Sequence, residues 1–392
     1  KLGADTQTAS STLTAAPSWG SNDRLQGLAY LGIRLEFNQD VFSSIPQITA
    51  DVKGRKVFDP RTSTTAYSTN PALALRDYLT NDRYGKGLDA SLIDDTSFGD
   101  AADACEQQVA SYSGGPDINR FDIHGVIDTG GSIFNNVKVF LSGMQGMMPF
   151  QNGQYRLIIE DDYDSSFAFN TDNIISGFKI AGADKTKKYN KVTAKFANYD
   201  TNYQPDSVIW PDADSADYQQ FLADDNNIPL ETEINLPTVT SYYQARNIAK
   251  TLCLSSRLAS LQVSFVATPD ALNCAVGDIV TITHPTPAWD GKEFRVLSLS
   301  INYDATVNVS LAEHNPTIYP WADDKEEPES FASNLPDPLT VANPSLTITD
   351  ELRAFNEEAI TFLIADLGTG DSFVERFEVQ ARKAGDTEFV NM

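Results

Sequence analysis

Carboxylates crowd at two places in this sequence, Asp161-Asp162-Tyr163-Asp164 and the group Asp212, Asp214 and Asp217. Two carboxyls about 5 to 10 Å apart can serve as acid and nucleophile or base in glycoside hydrolysis. A working general acid usually needs an apolar pocket to raise its pKa, whereas both groups lie among polar, Ser-rich neighbours. Solvated loop carboxylates are the plainer reading. The second group also fails as a calcium loop: with Asp212 at position one, Asp217 stands where Gly is wanted and Ala223 where a bidentate Glu is wanted. Only an irregular oxygen-ligand site stays open there. The histidines His124, His284 and His314 stand far apart, and His284-Pro285 reads as an exposed turn. Cys105, Cys253 and Cys274 are odd in number and lack CxxC spacing, so they read as part-buried free thiols rather than a disulfide framework or a zinc cage. There is no G-x-S-x-G elbow, and no Ser or Cys lies in a local signature with His. Asp128-Thr129-Gly130-Gly131-Ser132 lacks the phosphate-loop pattern and reads as a turn and N-cap. The expectation is therefore no catalytic, cofactor-binding or metal-ligating residues, and no cofactor.

The elements that would have to position any site are many and mostly β. At 392 residues the chain exceeds one ordinary hydrophobic core. Its 54 acidic against 29 basic residues give a formal charge of −25, which repels phosphate backbones and argues against nucleic acid as a partner. The longest basic run is Lys185-Thr186-Lys187-Lys188. The most apolar stretch, Val137 to Phe150, is too short and too interrupted to span a bilayer. The chain opens at Lys1 without Met or a leader and is read as part of a longer polypeptide.

Residues 1–20 are small, polar and aperiodic, which suggests an arm lying on a neighbour. Leu31, Ile33, Leu35 and Phe37 alternate as in a half-buried strand, and a second strand is expected between Ile48 and Pro60. Asn70 followed by Pro71 marks a helix start, with Leu75, Tyr78 and Leu79 on one face. A second helix is expected from Asp100, with Ala101, Cys105 and Val109 four apart, and a third through Val137, Phe140, Leu141 and Met144. Gln151-Asn152-Gly153 is a hairpin turn, closed by a strand from Tyr155 to Glu160. Strand patterns resume beyond 166, interrupted by a polar acidic stretch from Pro211 to Asn227 and by a long helix over 240–258. Four short strands between 261 and 312 make a small barrel or sandwich. Prolines and acids at 320–338 read as a solvated, stiffened linker, and alternation after it as a β-sandwich module that the chain may leave incomplete.

One stretch is more informative than any catalytic motif. Gly54, Arg55, Asp59-Pro60-Arg61, Tyr67-Ser68, Asn70-Pro71-Ala72, Leu75, Asp77-Tyr78-Leu79-Thr80, Tyr84-Gly85 and Gly87 follow in one order with constant spacing. Residues 52–87 thereby resemble the central region of tail-tip hub proteins of long-tailed bacteriophages, the host-specificity or tip attachment family known from lambdoid phages. Weaker likenesses continue at Ala102, Cys105 and Glu106, at Gly125, from Met144 to Gly153, at Leu236-Pro237 with Tyr243 to Arg246, and at Val276 to Val280. The tail from Asn334 to Phe389 looks like the opening of a fibronectin type III module, with Phe362 where that module often has Trp.

The resemblance implies an α+β, mainly β fold: barrel-like baseplate-hub domains, a mixed α/β inserted domain and a C-terminal fibronectin type III-like β-sandwich. The division expected is an N-terminal arm and hub strands at 1–50, a mixed α/β domain at 51–165, a barrel-like domain at 166–320 with its helix at 240–258, a linker at 321–338, and the module at 339–392. It further implies a trimeric, non-enzymatic virion protein that closes the tail tube, with distal tail and tail-tube proteins as partners and a host receptor met through C-terminal regions. The alternative from another class is a β-rich carbohydrate-active enzyme or lectin-like adhesin.

Overall fold

The computed structural model describes residues 1–35, 48, 50, 52–182, 187–328, 345–355, 358–368, 380–381 and 390–391. It divides into two compact units, Lys1–Arg55 and Lys56–Met392.

The first unit is a short coil tied by one side chain. Gln7, buried, donates from Nε2 to the carbonyls of Arg24 at 2.9 Å, Leu28 at 3.0 Å and Leu25, and accepts from Gly3 N at 3.0 Å. Leu2 and Ala29 form an isolated bridge. The half-buried strand expected from Leu31 is not found over its described residues, which are coil with Leu31 64% exposed. Alternation alone gave no partner strand to bury against.

In the second unit a hairpin of Lys56–Asp59 and Thr64–Tyr67 leads into helix α1 (Pro71–Thr80). Asn70 caps it through Oδ1, accepting from Ala72 N at 3.0 Å and Leu73 N at 3.4 Å, while Pro71 lacks an N–H that would have had no partner. Leu75, Tyr78 and Leu79 are buried as their spacing predicts. Helix α2 is Asp95–Glu106, capped by Asp94 and not begun at Asp100; Val109 lies beyond it in the strand Gln108–Ala110. Helix α3 is Ile133–Met144, with Ser132 accepting from Asn135 N at 3.2 Å, so the Gly-rich turn is a turn and cap. Asn152 and Gly153, both at positive φ, make the hairpin turn between Phe150–Gln151 and Gln154–Tyr155. Helix α4 (Ala216–Asp224) occupies the acidic stretch that periodicity left without structure, and helix α5 is Tyr242–Leu258.

Two cores result. The first joins α1, α2, α3 and α5 to a three-stranded sheet of Gln204–Trp210, Lys191–Asn198 and Glu231–Asn235, in that order. The central strand, Lys191–Asn198, pairs antiparallel with Gln204–Trp210 and parallel with Glu231–Asn235. The second core fills one face of a six-stranded sheet, ordered Ile174–Gly182, Leu261–Ala267, Val307–Glu313, Trp289–Ile301, Ile279–His284 and Phe167–Phe169. Its end strands do not pair with each other, so the expected barrel is an open half-barrel. The mainly β, α+β class stands. The cores do not follow a cut at 165, because Val192 to Cys253 share a core with Val57 to Ile159.

Residues 321–327 differ from a solvated linker. Trp321 Nε1 donates to Ala110 O at 2.9 Å, Ala322 is buried, and Glu327 N donates to Tyr243 Oη at 3.3 Å. Beyond 328, the remainder of the expected linker lies outside the described residues. In the region expected to be a fibronectin-like module, Ser345–Phe355 pairs antiparallel with Glu358–Gly368, and Gln380–Ala381 with Val390–Asn391. The rest of that expectation lies outside the described residues, as do Phe37, Lys185 and Thr186.

Candidate functional site

The 52–87 signature folds into a lock between α1 and α2. Arg61, from the turn after Asp59-Pro60, grips Asp59 with Nε at 3.0 Å and Nη2 at 2.8 Å. It reaches Glu106 with Nη1 at 2.8 Å and Nη2 at 3.1 Å, and Asp103 at 2.5 Å. Such paired contacts match the planar fork of the guanidinium. Hydrogen bonding from Arg61 holds the Asp59 carboxyl below its ordinary range. Burial pushes Glu106 up, but Arg61 and Asn70 outweigh it and leave it lowered. Asn70, besides capping α1, donates from Nδ2 to Ala102 O and Glu106 Oε1, both at 2.9 Å. At the other end of α1, Lys86 N donates to Tyr78 O at 3.0 Å and Leu88 N to Leu79 O at 2.9 Å, satisfying carbonyls that a helix end leaves open. Gly85 is required there because a Cβ would come 1.7 Å from Tyr78 O. The signature is therefore architectural: it positions a helix pair rather than a reaction.

In each carboxylate group weighed for catalysis, one member is held by cationic side chains. Asp212 accepts from Arg246 Nη2 at 3.0 Å and from Lys325 Nζ at 2.7 Å, so both of its oxygens are engaged, which leaves it poorly placed as a calcium ligand. Arg246, on α5, also binds Asp324 at 2.7 Å and so ties residues 324–325 to the helix. Asp161 is bonded to Arg120 Nη1. The three thiols are buried, and burial pushes Cys253 up to about 12 and Cys274 up to about 11, with Cys105 raised further, so none is a thiolate at neutral pH. His284 stacks on Phe178, ring centroids 4.3 Å apart.

Sequence spacing missed one constellation. Asp162, Glu293 and His314 each present a ligand-type atom, all within 4.8 Å of one another, although 152 positions separate Asp162 from His314. Glu293 and His314 are brought together by pairing, since His314 N donates to Glu293 O at 3.1 Å. His314 Nε2 lies 3.3 Å from Asp162 Oδ1, and its ring stacks on Tyr319. Beside it a cavity of 260 Å³ is lined by Arg120, Asp161, Asp162, Tyr319 and Trp321, among others. Among the described residues no helix is long and apolar enough to cross a membrane.

Comparison with known proteins agrees with the signature. A family model described as "Putative phage tail protein" matches residues 132–298, from the cap of α3 into the open sheet. Baseplate hub protein pb3 of Escherichia phage T5 is 23% identical over 338 residues, covering 81% of this chain and 34% of that protein. Tip attachment protein J of Escherichia phage SECphi27 is 26% identical over 283 residues, covering 66% of this chain and 22% of its own length. The chain thus spans a third or less of these relatives. A chain of the virion of a native gene transfer agent particle aligns with a TM-score of 0.39 at 14% identity, covering 49% of this chain and 41% of that one. Signature and relatives together make this chain similar to baseplate hub and tip attachment proteins of bacteriophages.

Proposed function

We propose that the chain is a structural, non-enzymatic hub that assembles as a homotrimer and closes the tail tube, in contact with distal tail and tail-tube proteins. A fibronectin type III-like module beyond residue 339 would carry it toward a host receptor. The observation that supports this best is the outer edge of the half-barrel, which is unpaired among the described residues. Ile174–Gly182 hydrogen-bonds to Leu261–Ala267 on one side only, and Ile175 and Ile180 on it are exposed, as are Leu297 and Ile301 on the 13-residue strand Trp289–Ile301. A long edge with exposed branched apolar residues invites pairing unless it is covered. A neighbouring subunit would cover it and complete a ring. Threefold closure by different surfaces is the ordinary route for such head-to-tail contacts.

The mass of the purified chain in solution tests this reading. A trimer that Ile180→Lys converts to monomer supports it. A chain that remains monomeric at micromolar concentration, or that hydrolyses a surface glycan, overturns it.

A further inference from the structure

We infer that Asp162, Glu293 and His314 form a binding site for one first-row divalent transition-metal ion, of the zinc or cobalt type. This goes beyond the hub reading and does not depend on it.

One imidazole nitrogen and two carboxylates form a mixed donor set that such ions accept, with further positions left for water. The site is built unequally. The His314 side chain is 0% exposed, fixed by its strand partner and by the Tyr319 ring, whereas Asp162 is exposed and Glu293 half-buried. Ligands around an ion at about 2.1 Å stand roughly 3 to 3.5 Å apart. The carboxylates therefore need only a small rotation to close on an imidazole that is already in place.

A second observation concerns the nitrogen that faces Asp162. His314 Nδ1 is buried and makes no hydrogen bond. If Nε2 carries the proton and donates to Asp162, a bare lone pair remains on Nδ1, out of reach of water. If Nδ1 carries the proton, the Nε2 lone pair faces a carboxylate oxygen 3.3 Å away, and the two repel unless a cation lies between them. In that second tautomer an ion between Nε2 and the Asp162 oxygen removes the repulsion, whereas Nδ1 points away from the carboxylate and is not a ligand.

The opposing charge is Arg295. Its guanidinium donates to Gly277 O at 3.0 Å and Asp161 O at 2.9 Å and lies near enough to His314 to disfavour its protonation. It reduces cation affinity. Arg120 is occupied by Asp161, and Lys292 by Glu313 at 2.5 Å. Two carboxylates against one guanidinium leave the cluster net negative before a divalent ion enters. An ion there would tie the connector after Ile158–Ile159, which leaves the helix-rich core, to two strands of the half-barrel.

The test is calorimetric titration of the 392-residue chain with Zn²⁺, with Ca²⁺ in parallel, together with melting curves. One Zn²⁺ per chain is expected, with a rise in melting temperature that Ca²⁺ does not reproduce. Asp162→Asn and Glu293→Gln, which alter accessible side chains and leave the fold intact, should each weaken Zn²⁺ binding at least about tenfold. His284→Gln should leave it unchanged. Absence of one-to-one uptake, or uptake that survives both carboxylate substitutions, overturns the site. Because oligomeric mass is measured separately, a failed titration leaves the trimer reading untouched.

Discussion

In the helix-rich core, elements are fixed on one another by arginines. Arg61 spans a turn and α2, Arg76 on α1 reaches Asp95 at 2.6 Å, Arg246 holds Asp212 and Asp324, and Arg257 holds Asp225 at 2.6 Å. In the half-barrel the same task falls to alternation. Val263, Phe265 and Ala267 face Val307, Val309 and Leu311 across the ladder, and Phe169 packs edge-on against Phe265 at 5.0 Å. The first region has geometry specified by charge pairs that work only in one arrangement. The second has an apolar face closed on its own core and, among the described residues, an end strand paired on one side.

The largest effects should separate the two regions by their response to acid. Phe265→Ala should cost about 3 to 5 kcal/mol through lost burial and a cavity, nearly independent of pH. Asp225→Ala should cost about 3 kcal/mol, because it removes the close partner of Arg257, whose side chain is 6% exposed and which keeps only the longer contact to Asp224 at 3.5 Å as a carboxylate pair. Burial pushes Asp225 up, but Lys188, Arg257 and Asn190 outweigh it and hold the carboxyl below its ordinary value. The contribution of a lowered acid is present above its unfolded pKa of about 3.9 and is lost as pH falls through the folded value. Denaturation curves at pH 7 and pH 3 should therefore show the Asp225→Ala deficit shrinking and the Phe265→Ala deficit holding. Equal shrinkage would erase the comparison.

Asn70→Ala should cost about 2 kcal/mol, the upper end of the capping range, because Asn70 also serves Ala102 O and Glu106 on α2. A loss under about 0.5 kcal/mol in urea titration would mean that the lock is decorative.

What the sequence made legible follows the same division. Asn70-Pro71 and the Leu75, Tyr78, Leu79 face announced α1, and the strands of 261–313 announced themselves by period two, since both signals are local. The signature residues were visible as a pattern, but the pairing of Arg61 with Asp103 and Glu106 was not, because an arginine fork carries no spacing rule. Asp162, Glu293 and His314 were invisible for a plainer reason: strand pairing and a chain crossover, not sequence proximity, brought them together. Residues 320–328 misled because acids and prolines usually mark solvent, whereas here Arg246 and Asn198 supply partners for those acids.

That docking moves the proposed boundary. Chymotrypsin should cut at Phe331 before Trp321, whose indole is bonded to Ala110 O. Earlier cleavage at Trp321, or inside 240–312, would argue against a boundary after residue 328.

The smallest effect concerns how firmly residues 321–327 are held. Glu327 Oε1 accepts from Asn198 Nδ2 at 2.7 Å, and the same amide donates to Asp206 Oδ2 at 2.8 Å. Burial raises the Glu327 pKa, and the Asp200 and Asp206 carboxylates raise it further against the Asn198 hydrogen bond. For a raised acid the stabilisation is complete below the unfolded pKa, about 4.3, and is lost as pH rises through the folded value. Docking of this segment should thus loosen as pH climbs from about 4 toward neutrality. Glu327→Gln keeps an acceptor for Asn198 and removes the charge, so it should tighten docking at pH 7 by less than about 1 kcal/mol, the range of a partly exposed charge. Tryptic cleavage after Lys325, which is anchored on Asp212, reports the docking. The ratio of wild-type to variant cleavage rates should exceed one at pH 7 and fall toward one near pH 4.5. A ratio that stays flat across that range would show that the carboxylate crowding around Asn198 does not govern how this segment is held.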